Sequence, residues 1–192
     1  MTEEEIKQLI PDDQRQYILQ SVALVYNKYL NLLPEEGRLV EIGTGLGHST
    51  LFWALAKPKW TIYTVDVFSI FGTPDKKEQS ITAVGISNCH DIVQMRSRWD
   101  KHGAKNIIQI VQDSHQLPWE LPVDVIYIDG DHTYESCKAD FLNYAPFLKT
   151  NGLVFFDDYF SPKFGVKQFV DEICNQGWQM LEGDYMAIIK KT

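Results

Sequence analysis

RLVEIGTGLGHST, residues 38–50, joins a short apolar run to a turn with glycine at every second position. Leu39, Val40 and Ile42 suit a buried strand, and HSTLFWALAK suits the helix that opens at the turn. Gly43, Gly45 and Gly47 permit a tight turn and close approach by a ligand, because no Cβ obstructs either. Backbone N–H groups at the helix start would face that ligand. The spacing is G-x-G-x-G, so His48 stands where a dinucleotide fingerprint has its third glycine, and the Gly-Lys-Ser/Thr ending of a phosphate loop is absent. A cofactor without a pyrophosphate does not need either. Asp66 closes the next β-rich run, WTIYTVD, where a carboxylate can accept hydrogen bonds from both ribose hydroxyls of a nucleoside.

Outward from this turn, strand and helix patterns alternate. NIIQIVQD, VDVIYIDG and GLVFFDD read as the third, fourth and fifth strands, and residues 149–152 (KTNG) as the turn before the fifth. Helices are expected over residues 14–33, most of 81–101, 134–148 and 165–173, and residues 67–80, with Gly72, Thr73 and Pro74, as a loop over the substrate face. Two short strands separated by Glu182-Gly183-Asp184 end the chain as a hairpin. The expected fold is α/β, Rossmann-like: a mostly parallel seven-stranded sheet, helices on both faces and a C-terminal antiparallel hairpin. Strands one, four and five have the apolar cores of central strands. Residues 1–36 form an N-terminal helical segment covering the sheet or the acceptor site, and residues 37–192 the main body of one compact domain.

Composition excludes several classes. With 44% hydrophobic and 23% charged residues among 192, the chain has ordinary globular usage, and no apolar run approaches a membrane span. MTEEEIKQLI has no apolar core of a secretory signal, and Cys89, Cys137 and Cys174 are too few and too scattered for a disulfide framework. A reducing cytoplasm fits best. The formal charge of -8 and the absence of a Lys/Arg track disfavour nucleic acid as partner. A two-fold homodimer is compatible with an enzyme of this size, though no sequence feature locates the interface.

A second constellation lies beyond strands four and five. IDGDH places Asp129, Asp131 and His132 after one strand, and FFDDY places Asp157 and Asp158 after the other. Carboxylates gathered in one cleft repel one another unless protons or a cation compensate. Oxygen ligands favour Mg²⁺ or another oxygen-preferring divalent cation, with Asp129, Asp157 and Asp158 as the ligands. His132 is open to three roles: base, metal ligand or orienting group. Capping of helices is the plain alternative for these acids. Phe68, Phe71, Trp99 and Tyr159 are candidate acceptor contacts or core aromatics.

The first motif resembles that of the class I S-adenosylmethionine-dependent methyltransferases, E/D-x-G-x-G-x-G, matched at Glu41, Gly43, Gly45 and Gly47. The resemblance implies S-adenosyl-L-methionine over the turn, Asp66 on its ribose, and Asp113 near the adenine with Ser114 beside it; Asp113 alone also reads as a helix cap. His48 is placed to contact the cofactor carboxylate or to cap the surface. IDGDHTYESCKADFLNYAPFLKTNGLVFFDDY, residues 128–159, is similar to metal-dependent small-molecule O-methyltransferases acting on antibiotic sugars or phenolic hydroxyls. That similarity, over about residues 37–175, implies metal at Asp129, Asp157 and Asp158, and Asp131 as general base. From the residues alone, Asp131 and His132 remain equal candidates for catalysis. Methyl transfer to a small hydroxylated molecule is therefore the leading expectation. The rivals are an inactive cofactor-binding or assembly module and a nucleotide-dependent oxidoreductase.

Overall fold

The computed structural model describes residues 3–14, 20–67 and 89–191. Two helices, α1 (Glu3–Leu9) and α2 (Gln20–Leu30), precede the sheet. Then follow β1 (Arg38–Ile42), α3 (His48–Ala56), β2 (Thr61–Asp66), α4 (Cys89–Lys101), β3 (Ile107–Val111) and β4 (Val123–Ile128). The chain continues with α5 (Tyr134–Tyr144), β5 (Leu148–Phe156), α6 (Val166–Asn175), β6 (Gln179–Gly183) and β7 (Ala187–Lys190). The seven strands are ordered β3-β2-β1-β4-β5-β7-β6, all parallel except β7, which runs antiparallel to β5 and β6.

The expected fold is the observed one, and strand alternation explains it. Leu39, Val125, Tyr127, Leu153 and Phe155 pack on one face against α2 and α3. Val40, Ile42, Ile126, Ile128, Val154 and Phe156 pack on the other against α5 and α6. A strand apolar at every position is what a sheet covered on both sides requires, and each fully buried large side chain contributes about 1.5–3 kcal/mol. Helix α3 lacks a polar face because it is sandwiched: Tyr26 of α2 lies 5.4 Å from Phe52 and 5.0 Å from Trp53, ring centre to ring centre. Helix α2 ends before Pro34, where the Lys57 ammonium donates to the carbonyl of Leu30 at 2.9 Å.

One local expectation is corrected. Residues 149–152 lie within β5: its pairing jumps from Val123–Leu148 to Val125–Leu153, and Asn151 takes φ 65° in the excursion between. The turn signal was real, but Leu148 already pairs with β4 before it. The 67–80 loop beyond Val67, Phe68, Phe71 and the first part of the 81–101 helix lie outside the described residues. No described helix is long and apolar enough to cross a membrane.

Candidate functional site

The strand order reverses between β1 and β4, and parallel sheets bind ligands at such a switch point, outside the carboxyl ends of the strands. Register brings the chemistry to that edge. Ile42 pairs with both Val65 and Ile128, and Ile128 with Phe156. Gly43, Asp66, Asp129 and Asp157 consequently leave one rim of the sheet. A cleft of about 820 Å³ opens there, within the range of small-molecule sites.

The motif glycines have different tasks. At Gly43, φ is 90° and a Cβ would stand 2.0 Å from the Asp129 carbonyl oxygen, so this glycine lets β1 and β4 close together. Gly45, at φ 50°, has no atom of the described residues within 4 Å of that position, so its missing side chain leaves room in the cleft. Gly47 gives way to Met95 and Trp99 of α4. Trp99 is thereby core, its indole N–H donating to the Gly47 carbonyl at 2.9 Å.

Asp66 stands at the turn as expected, with Oδ2 accepting the backbone N–H of Thr44 at 3.0 Å and of Gly45 at 3.1 Å. Glu41 lies apart from the cleft. It is fully buried beneath the turn, outside the cleft lining, and accepts hydrogen bonds from Ser49 and Thr64, each at 2.6 Å, and from Thr50. Its carboxylate fastens the turn to α3 and β2, and burial pushes it up to about 7. His48 lines the cleft, and burial, then the Arg98 charge, lowers it to about 4, so it is a neutral imidazole at pH 7.

Asp113 and Ser114 line the far end. Asp113 accepts the His115 backbone N–H at 2.9 Å in an Asx turn that no helix follows, and it stays at the cleft wall. The Ser114 hydroxyl donates to Asp140 at 2.6 Å. Asp140, buried on α5 among Cys137, Phe141 and Tyr144, escaped the sequence reading, although an acid on an apolar helical stripe is a detectable anomaly. Burial raises it to about 6.

At the other end, one ligand atom from each of Asp129, His132 and Asp157 lies within 4.8 Å of the other two. Burial, then the Glu41 charge, raises Asp129 to about 7. Burial, then Asp129 and Asp158, raises Asp157 to about 8. Tyr127, two residues before Asp129 on the same strand face, donates to Asp129 at 3.1 Å. Asp158 is near but outside this group of three, with its Oδ2 3.4 Å from His132 Nδ1. Asp131 is exposed at the cleft rim and accepts the Thr133 backbone N–H at 3.0 Å.

Tyr26, Phe164 and Tyr185 complete this end, and none was singled out as a site residue from sequence. Phe164 covers the His132 ring at 5.0 Å, and Tyr185 stands half exposed beside the acids. Tyr26 comes from α2, Phe164 from the segment before α6 and Tyr185 from the β6–β7 turn, so no local spacing marks them. Tyr159, by contrast, is buried and donates to Asp171 of α6 at 2.7 Å, which makes it part of the sheet cover.

Seven aspartates line the cleft, with no Lys or Arg among the described lining residues. The folded chain keeps protons on Glu41, Asp129 and Asp157 that the unfolded chain, with ordinary carboxyls, releases. Their favourable linkage is complete below about pH 4 and is lost as pH rises through 7–8. Ligand-free protein is expected to melt lower by roughly 5 °C between pH 5.5 and 8.5, about 2 kcal/mol for this size. Scanning calorimetry at both pH values checks this, and an unchanged or rising melting temperature contradicts it.

The methyltransferase domain family model matches residues 40–159, well over half the chain. An uncharacterized protein of Acanthamoeba polyphaga mimivirus is 27% identical over 145 residues, covering 74% of this chain; the chain spans 58% of that relative's length. Among solved structures, the O-methyltransferase NovP superposes with TM-score 0.64 at 20% identity, over 99% of this chain and 79% of NovP. CalS11, a TDP-rhamnose 3'-O-methyltransferase of calicheamicin biosynthesis, gives 0.62 at 17%, over 98% and 92%. An rRNA methylase from Streptococcus thermophilus also gives 0.62, at 13%, over 88% and 95%, so this likeness speaks for the fold and not the acceptor. The chain belongs to the methyltransferase domain family, with the fold of the class I S-adenosylmethionine-dependent enzymes.

Proposed function

We propose that this protein transfers a methyl group from S-adenosyl-L-methionine to a hydroxyl of a small molecule, with a divalent cation assisting. The observation that carries this reading is the charge of the switch-point cleft: seven aspartates and no described Lys or Arg. Such a lining repels the pyrophosphate of a nicotinamide dinucleotide and the backbone of a nucleic acid. It suits a cofactor with a sulfonium and an ammonium, and a metal ion beside it.

The chain's residues divide the work. The open side of Gly45 receives the cofactor, and Asp66 holds the ribose hydroxyls. His48, as a neutral imidazole, offers a donor to the cofactor carboxylate, and Asp113 and Ser114 border the adenine. When bound, the cofactor supplies an already electrophilic methyl, so alignment is the protein's main contribution. Asp129 and Asp157 would hold the ion, which supplies positive charge that favours an ionised hydroxyl. Asp131 takes the proton, since it is exposed at the rim, whereas both His132 nitrogens already face carboxylates. Tyr185 and Phe164 shelter the acceptor from water.

Calorimetric titration tests the cofactor. S-adenosylmethionine and its demethylated product are expected to bind the folded protein, and NADH is not. Binding of NADH in place of S-adenosylmethionine returns the site to an oxidoreductase. Cofactor binding without transfer to any hydroxyl acceptor favours the binding-module reading.

A further inference from the structure

We propose that His132, rather than Asp158, completes the divalent-ion site with Asp129 and Asp157, and that Asp158 is a positioning residue acting through His132. The proposal rests on the divalent-ion part of the functional reading, and not on which molecule is methylated.

Three observations converge. Donor atoms of Asp129, His132 and Asp157 lie within 4.8 Å of one another. Ions bonded at roughly 2.0–2.5 Å hold their donors within about that spread. Secondly, His132 Nε2 is shut off from solvent without a hydrogen-bond partner, although a buried imidazole nitrogen ordinarily finds one. It lies 3.4 Å from Asp129 Oδ1, so it faces the carboxylates. Thirdly, the opposite nitrogen, Nδ1, is 3.4 Å from Asp158 Oδ2. A carboxylate on the far nitrogen of a ligating histidine fixes its tautomer and raises its basicity.

The backbone explains the division between the two adjacent aspartates. Asp157 continues β5, its N–H bonded to the Ile128 carbonyl at 3.0 Å. Alternation from Phe155 sends its side chain to the face of Tyr127 and Asp129. Asp158 turns away with φ 53°, in the left-handed region that Asp enters more readily than most residues with a Cβ. Its carboxylate thus comes to the rear of the imidazole. The ring is held from its side by Phe164, and the Gly165 N–H donates to the His132 carbonyl at 2.9 Å. Two carboxylates and an imidazole form a mixed donor set, which favours Mn²⁺ over Mg²⁺ more than an all-oxygen site does.

Pulsed electron paramagnetic resonance of the protein loaded with Mn²⁺ alone reads the ligands directly. The expected spectrum carries the coupling of a directly bound imidazole nitrogen. Labelling with ¹⁵N-histidine changes it, His132→Gln removes it, and Asp158→Asn retains it while weakening Mn²⁺ binding about tenfold. Asp157→Asn is expected to weaken it at least about tenfold further. Wild-type protein is also expected to prefer Mn²⁺ to Mg²⁺ more strongly than His132→Gln does. Bound Mn²⁺ without imidazole coupling overturns the proposal and leaves His132 as a bridge between Asp129 and Asp158. Loss of binding in Asp158→Asn as severe as in Asp157→Asn overturns Asp158's indirect role. Failure of wild-type protein to bind Mn²⁺ at millimolar concentration removes the ion itself, whereas failure only to bind S-adenosylmethionine removes the reaction and leaves this site standing. Labelling of the wild type decides the question even if His132→Gln does not fold.

Discussion

Gly43→Ala is expected to cost more than about 4 kcal/mol of folding stability, whereas Gly45→Ala costs about 1–2 kcal/mol and instead weakens S-adenosylmethionine binding by tenfold or more. The two glycines stand two residues apart in one motif, both at positive φ, and differ in what surrounds them. A methyl at Gly43 would meet the Asp129 carbonyl oxygen at 2.0 Å and its carbon at 2.5 Å. Those are backbone atoms just past the end of β4, where the Asp129 N–H donates to the Ile42 carbonyl at 2.8 Å. Relief requires prising apart two central strands, and a rigid core does not yield so far. Among the described residues, a methyl at Gly45 meets no atom within 4 Å, so folding bears mainly the cost of the left-handed backbone. That methyl would occupy space assigned to the cofactor. Chemical denaturation and calorimetric titration of the two variants check both halves. A Gly43→Ala protein of near-native stability, or a Gly45→Ala protein with unchanged cofactor affinity, contradicts the division of labour.

This division shows what the motif alone could convey. Three alternating glycines after an apolar strand announce a turn at a sheet edge, and they placed that edge correctly. They do not say which glycine faces a ligand, because that depends on β4 and α4, which are remote in sequence. Glu41 has the same character. An acid between Val40 and Ile42 reads as a ligand contact until α3 folds back and brings Ser49 and Thr50 over its carboxylate. The sheet was legible because Leu39–Ile42, VIYI and LVFF each carry their face preference within a few residues. The acids after β4 and β5 were legible for the same reason, since parallel register aligns the ends of neighbouring strands. The division between Asp157 and Asp158 was not, because it turns on one backbone dihedral, and Phe164 and Tyr185 reach the cleft from the segment before α6 and from the β6–β7 turn, which carry no site signature of their own.

Asp157→Asn is expected to act in opposite directions on ion binding and on folding. Divalent-ion affinity should fall by about 100-fold or more, since one anionic donor of a small set is lost. At pH 8 without metal, the same variant should be more stable than wild type by about 1 kcal/mol. The reason is crowding: burial and the neighbouring Asp129 and Asp158 push Asp157 up to about 8, so ionising it opposes the fold. Asn nearly preserves the shape and removes that charge. The gain should vanish at pH 5, where Asp157 is protonated in the folded protein. Divalent ion should in turn stabilise wild type more at pH 8.5 than at pH 6, because the ligands must shed protons to bind it. Melting curves with and without Mn²⁺ at the two pH values measure all of this. A variant less stable than wild type at pH 8, with ion affinity retained, contradicts both the crowding and the ligand role.

One cleft at the switch point is expected to hold the methyl donor and a divalent ion side by side. A crystal structure with S-adenosylhomocysteine and Mn²⁺, with anomalous data at the manganese edge, tests it most directly. The expected map has the cofactor over Gly45, its ribose on Asp66, and a single anomalous peak between Asp129 and Asp157. Cofactor bound elsewhere, or an anomalous peak away from these two carboxylates, would contradict it.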